Sequence, residues 1–208
     1  MKAPSRHHHR SEHPAPNPPA HARTGAVLGI SQMAMFAALV AVLGQPLAIP
    51  VVAGVPITLQ TLGVMLAGAV LGPWRGAGSM ALLHALTAAG LPLMAQGNGG
   101  LGVYAGPTAG FALGWIPGAL VIGLIVQARW PLRTWRTALG MVAGGILVIY
   151  ACGAPVLAFH LGLTLEQAAL TTLGFMPGDL AKAVLAVLVV QALAAAYPKP
   201  FTWARTRR

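Results

Sequence analysis

Beyond residue 24 the chain reads as apolar stretches of roughly 17 to 25 residues cut by clusters of proline and glycine, lengths that let an α-helix cross the hydrocarbon core of a bilayer. Six such stretches predict helical spans near residues 26–46, 56–72, 74–91, 108–129, 137–159 and 171–196. Gly72, Pro73 and Gly76 leave only a tight turn between the second and third. The pattern therefore predicts an all-α integral membrane protein, a six-transmembrane-helix bundle, with residues 25–197 as its membrane domain. Residues 1–24 contrast with it: they hold Pro14, Pro16, Pro18 and Pro19, five of the seven histidines and no apolar run, as expected of a disordered tail. The three histidines at 7–9 have no partner ligands at fixed spacing, so no metal site is expected there. Residues 198–208 form a short basic tail.

Composition closes off the soluble alternative. Hydrophobic residues make up 56% of the chain and charged residues 8%, with a mean hydropathy of +0.72. A soluble domain carries about a quarter charged residues. Three acids, Glu12, Glu166 and Asp179, cannot build a hydrated shell. The net charge of +10 marks topology: twelve of the thirteen Lys and Arg residues fall before the first span, between the second and third, between the fourth and fifth, or after the sixth. The alternate loops, 47–55, 92–107 and 160–170, contain none. Both termini are thus expected in the cytoplasm and the spans in the inner (plasma) membrane. The basic residues sit on no aromatic or glycine-rich platform, so no nucleic-acid partner is expected.

Several chemistries are excluded by what is missing. A single cysteine, Cys152, rules out an internal disulfide and a CxxC site. No lysine lies in a GxxxxGK[ST] loop, and there is no GxSxG or HExxH, so the chain is read as neither an ATPase nor another enzyme. Small residues set the packing expectation: Gly110, Gly114 and Gly118, and Gly140 and Gly144, recur every four residues as interior helix seams. Ala34 and Ala38, with Ala37 and Ala41, form a similar strip on the first span, which either packs internally or receives another membrane protein.

Polar positions within this apolar background are few. Asp179 and Lys182 stand three apart, on one helix face, early in the sixth span. Charges at membrane depth are expensive, so the two either satisfy each other or meet a ligand. The segment 91–110 (LPLMAQGNGGLGVYAGPTAG) carries glycines at 97, 99, 100, 102, 106 and 110 beside Gln96, Asn98, Tyr104 and Thr108, and reads as a flexible connector or a lid. Thr58, Gln60 and Thr61 open the second span, where they either bond between helices or reach a ligand. His84 and His160 are isolated and lack metal-ligand spacing.

The runs VPITLQTLGVMLAGAVLGPWRG (55–76), GLPLMAQGNGGLGVYAGPTAGFALGW (90–115) and PGDLAKAVLA (177–186) together closely resemble the BioY family, the biotin-specific S components of energy-coupling-factor (ECF) transporters, over about residues 26–196. The resemblance implies a non-catalytic, biotin-binding membrane subunit without a cofactor of its own, biotin being the transported ligand. It also implies docking on a transmembrane T component driven by ABC-type ATPases. Asp179 and Lys182 match the family's contacts to the ureido head of biotin, with Asn98 and Tyr104 as further contacts; Gln60, from the polar patch that opens the second span, is a further candidate. Met65, Met94, Leu101 and Trp115 are expected as apolar walls. Ala34 and Ala38 match the AxxxA pattern that faces the T component. The group that meets the biotin carboxylate stays open between Lys182, Asn98 and a loop N–H. The rival reading is an autonomous secondary transporter or channel in which Asp179 carries a proton tuned by Lys182.

Overall fold

The computed structural model describes residues 20–45, 49–50, 56–197 and 199–201. The tail expected at 1–24 lies outside them as far as residue 19, as do parts of the 47–55 loop and residues 202–208 of the basic tail. The described chain is helical apart from a two-residue antiparallel ladder, in which β1 (Ile49–Pro50) pairs with β2 (Pro56–Ile57) and Ile49 lies opposite Ile57.

Helix α1 spans Ala20–Leu43, ahead of the expected start, because no proline or glycine interrupts residues 20–24. Helices α2 (Gln60–Leu71) and α3 (Pro73–Ala88) meet at Gly72, whose φ of 81° is closed to most L side chains, and Pro73 occupies the first turn, where a missing N–H leaves nothing unpaired. The fourth expected span is divided into α4 (Ala109–Leu113) and α5 (Trp115–Val126), broken at Gly114 just before Pro117, which has no N–H to offer. The fifth is one continuous helix of 28 residues, Thr134–Leu161, made of α6 (Thr134–Val142), a π-helical turn over Ala143–Val148, and α7 (Ile149–Leu161).

The sixth span differs most from expectation. Much of the 160–170 segment, read from sequence as a loop, is helix α8 (Leu165–Thr172). Its start is fixed by a reciprocal cap: the Thr164 hydroxyl accepts from the Gln167 N–H at 3.2 Å, and the Gln167 side chain accepts from the Thr164 N–H at 2.9 Å. A tight 3₁₀ turn, Leu173–Phe175, then leads into α9 (Met176–Ala196). The packed body also runs past residue 197, since Phe201 is fully buried with its ring 6.2 Å from that of Trp130.

Close backbone contact holds the helices together. A Cβ added to Gly76 would lie 2.8 Å from the Cα of Gly68, and one on Gly144 would lie 2.5 Å from the carbonyl oxygen of Gly118, so α2 touches α3 and α5 touches the π turn. Gly110 and Gly114 meet α7 at Cys152. The contacts at Gly110, Gly114, Gly118 and Gly144 are seams that the four-residue glycine spacing predicts; the contact of Gly68 with Gly76 is one it did not. Met65, Met80, Leu83, Ile122 and Met141 fill the space between them. The outer surface is apolar too: Val42, Phe159, Val184 and Leu188 are all exposed, an arrangement that lipid stabilises and water does not. Among the described residues three helical stretches are long and apolar enough to cross a membrane, Ala109–Val126, Thr134–Leu161 and Leu165–Ala196, with shorter apolar helices at Val27–Leu43 and Gln60–Leu71. In α1, Phe36, Ala37, Val40 and Ala41 are buried, whereas Ala34 and Ala38 face outward with Met35 and Leu39.

Candidate binding site

Pro177 stands in the first turn of α9, where its missing N–H is tolerated, and Asp179 lies in the same turn. One turn later Lys182 lies on the same face, and its Nζ donates to Asp179 Oδ1 at 2.9 Å. Two other elements complete the cluster. Thr61, in the first turn of α2, accepts from Lys182 Nζ at 3.0 Å and donates to Asp179 Oδ1 at 3.3 Å; Tyr150 of α7 donates its hydroxyl proton to Asp179 Oδ2 at 2.7 Å. Asp179 and Lys182 are only 6% and 7% exposed. Burial of two charges at this depth is tolerable because each is paired and hydrogen-bonded.

This cluster forms the polar end of a cavity of about 540 Å³. Its walls are Phe111, Trp115, Ile149, Tyr150 and Phe175, and its roof comes from residues 94–108 with Met94, Val103 and the backbone of Gly99, Gly102 and Gly106. The roof is braced. The Gly100 N–H donates to the Thr87 carbonyl at 2.7 Å, the Gln96 N–H to Gly44 at 3.3 Å, and Gln60 Nε2 to Leu93 at 3.3 Å. Gln96 and Gly100, with φ of 60° and 78°, give the left-handed turns that fold this segment over the opening. The result is a small enclosure with an ion pair at one end, rings along its sides and uncharged polar groups at the rim, the composition of a small-molecule site.

Four of the five residues singled out from sequence as ligand contacts line the cavity: Asp179, Lys182, Gln60 and Asn98. Asn98 is at the rim, its Nδ2 donating to the Ala95 carbonyl at 2.8 Å. Tyr104 is not among them. It lies behind the wall, with its hydroxyl 2.9 Å from His84 Nδ1, because the 3₁₀ turn Leu101–Ala105 directs its ring toward α3. Burial raises the pKa of this hydroxyl above the ordinary phenol value, against a smaller lowering by its bond to the Thr87 side chain, so it stays a donor. Of the expected walls, Met94 and Trp115 take that place. Met65 instead packs in the core against Gly145, and Leu101 is 72% exposed. Sequence reasoning missed Tyr150, Phe111 and Phe175, aromatic residues inside apolar helices with no polar neighbour to single them out. Tyr150 is the second residue after the π turn, whose wider winding sets the rotation of α7. Among the described residues no three His, Cys, Asp or Glu side chains converge on a metal position.

An all-helical membrane bundle that closes glycine-rich backbone over an aromatic-walled cavity with a buried ion pair is a membrane-embedded binder of a small solute. The model of the BioY family matches residues 17–199, and the chain belongs to that family. It is 48% identical over 178 residues to the biotin transporter BioY of Rhodobacter capsulatus, covering 79% of this chain and 92% of that protein. To the biotin transporter BioY of Rhizobium etli it is 42% identical over 173 residues, again 79% and 92%. The crystal structure of the S-component for biotin from an ECF-type ABC transporter superposes with a TM-score of 0.76 at 30% identity, covering 83% of this chain and 93% of that one. With its apolar exterior and spanning helices, the chain is a multi-pass protein of the plasma membrane.

Proposed function

We propose that this chain is the biotin-capturing S component of an ECF-type transporter, a substrate-binding transport subunit and not an enzyme. The observation that carries the reading is the Asp179, Lys182, Thr61 and Tyr150 cluster at the closed end of the cavity. A cyclic urea presents N–H donors and a carbonyl acceptor on one edge. Asp179 accepts from the former and Lys182 donates to the latter, and because their charges cancel, the polar end suits an uncharged head group. The thiophane ring and valeryl chain then lie between Phe111, Trp115 and Phe175, and the carboxylate reaches the rim near Asn98, with Gln60 holding the roof from beneath. No cofactor is required for any of this. Titration calorimetry on the purified chain tests it: one biotin per chain with sub-micromolar Kd supports the assignment, and no heat with a folded protein rejects it.

The same reading includes six spans in residues 25–197, with the tails 1–24 and 198–208 both cytoplasmic. Supporting it, exposed aromatic residues stand beside basic ones at one set of helix ends. Trp74 adjoins Arg75, Trp135 lies under the Arg136 guanidinium at 5.3 Å, and Tyr197 under Lys199 Nζ at 5.5 Å, a pairing suited to the headgroup region on the positive side. The partners in this reading are a T component and ABC-type ATPases. The outward strip of Ala34 and Ala38 on α1 supports a close helix contact with the T component, since small residues let a second helix approach.

A further inference from the structure

One buried ionisable side chain has no part in the chemistry above. His84 of α3 is 6% exposed and does not line the cavity, yet it touches both structures that enclose it. Its Nε2–H donates to the Ala112 carbonyl at 2.8 Å, which leaves Nδ1 of the neutral ring to accept from the Tyr104 hydroxyl at 2.9 Å; the backbone carbonyl of His84 is a second, longer acceptor for that hydroxyl at 3.2 Å. The imidazole also lies 5.6 Å from the Trp115 ring, tilted by 35°, and edge-on to Tyr104 at 5.7 Å.

Each contact falls where the cavity is shaped. Ala112 lies at the end of α4, just before the junction at Gly114, and Trp115 opens α5. The histidine thus bonds a carbonyl three residues before Trp115, on the helix that delivers this ring to the wall. Tyr104 belongs to the 3₁₀ turn that presents Gly102 and Val103 to the ligand space. The same end of α3 grips the roof a second time through the Thr87 carbonyl and the Gly100 N–H.

We propose that His84 is a positioning residue for the ligand, locking the roof at Tyr104 to the aromatic wall at Trp115. It rests on the reading of the cavity as the biotin site, and it concerns a residue that touches no ligand. A roof and wall already held in place have less freedom to lose when the ligand arrives, and the cage must break a specific pair of hydrogen bonds before the ligand leaves. The effect therefore belongs mainly to the dissociation rate.

The test uses the purified full chain with four variants: His84→Phe, His84→Gln, Tyr104→Phe and the double variant His84→Phe/Tyr104→Phe. Phenylalanine keeps the ring packing and loses both side-chain hydrogen bonds, leaving Tyr104 only the longer contact to the residue-84 carbonyl; glutamine can donate to Ala112 and accept from Tyr104. Two measurements are made, the biotin dissociation rate and, without biotin, hydrogen exchange across residues 95–106. His84→Phe is expected to raise the dissociation rate about tenfold with little change in association, and to speed exchange of the loop. His84→Gln should recover most of both effects, and the double variant should cost less than the sum of the two single changes, since both break the same side-chain link. Unchanged dissociation and exchange in His84→Phe, or additive effects in the double variant, overturn the proposal. If His84→Phe does not fold, Tyr104→Phe decides: it must raise dissociation several-fold and loosen the loop, and normal values overturn the lock. If the unaltered chain fails to bind biotin, the biotin reading falls, while the exchange arm still decides whether His84 locks the loop.

Discussion

Asp179 accepts three hydrogen bonds and is only 6% exposed, so its removal acts twice. Asp179→Asn takes away the charged acceptor for a urea N–H, a loss of about 1.5 to 3 kcal/mol for a charge-assisted bond. It also leaves the Lys182 ammonium buried without its counter-ion, a penalty of about 3 to 5 kcal/mol on the fold. The two effects separate in the double variant Asp179→Asn/Lys182→Met, which should regain most of the thermal stability and still bind biotin weakly. Calorimetry and thermal unfolding on both variants check this. Biotin affinity restored along with stability would make the pair a purely structural element. Asp179 and Lys182 were legible in the sequence because a charged residue in an apolar run stands out; Tyr150, which donates to the same carboxylate, was not, because an aromatic residue in a membrane helix is ordinary.

Helix α1 divides its small residues between two jobs. Ala37 and Ala41 are buried against the bundle, while Ala34 and Ala38 face outward. Ala38→Leu should therefore leave biotin affinity unchanged and abolish co-purification with the T component, because a leucine on the strip holds the facing helices apart and dispersion contacts fall off steeply with added gap. Retained assembly rejects the docking role. Gly76 gives the opposite case. Its place against Gly68 leaves no room for a side chain, so Gly76→Leu should destabilise the bundle by about 1 to 3 kcal/mol or more, seen as a lower unfolding temperature in detergent. Sequence spacing alone could not separate these two kinds of small residue. A four-residue repeat marks a face capable of close approach, and only the neighbouring helices decide whether that face is already filled.

At the scale of the whole molecule, the basic ends and the glycine-rich roof should lie on opposite sides of the bilayer. Cys152 is the single cysteine, so a background in which it is replaced by serine makes labelling unambiguous. In that background Leu101→Cys, at a position 72% exposed in the roof, should react with an impermeant maleimide added to intact cells. Trp135→Cys, 58% exposed beside Arg136, should react only after permeabilisation. Reaction of both from the same side would reject the topology.

The order of residues was enough to show that the chain is a helical membrane protein, where most of its helices run and which face of α9 holds charge, because lipid imposes length and hydrophobicity on every span and makes each exception visible. It was less informative wherever local chemistry competed with hydropathy: the Thr164 and Gln167 cap makes a helix of an apparent loop. Tertiary structure alone decided which residues enclose the cavity. The break at Gly114 aims Trp115, the π turn sets α7 so that Tyr150 meets Asp179, and the 3₁₀ turn of the roof carries Tyr104 away from the ligand space to His84. Each of these is a rotation about a helix axis or a turn, and such rotations are fixed by contacts between segments distant in the chain, which no local pattern of apolar and polar residues encodes.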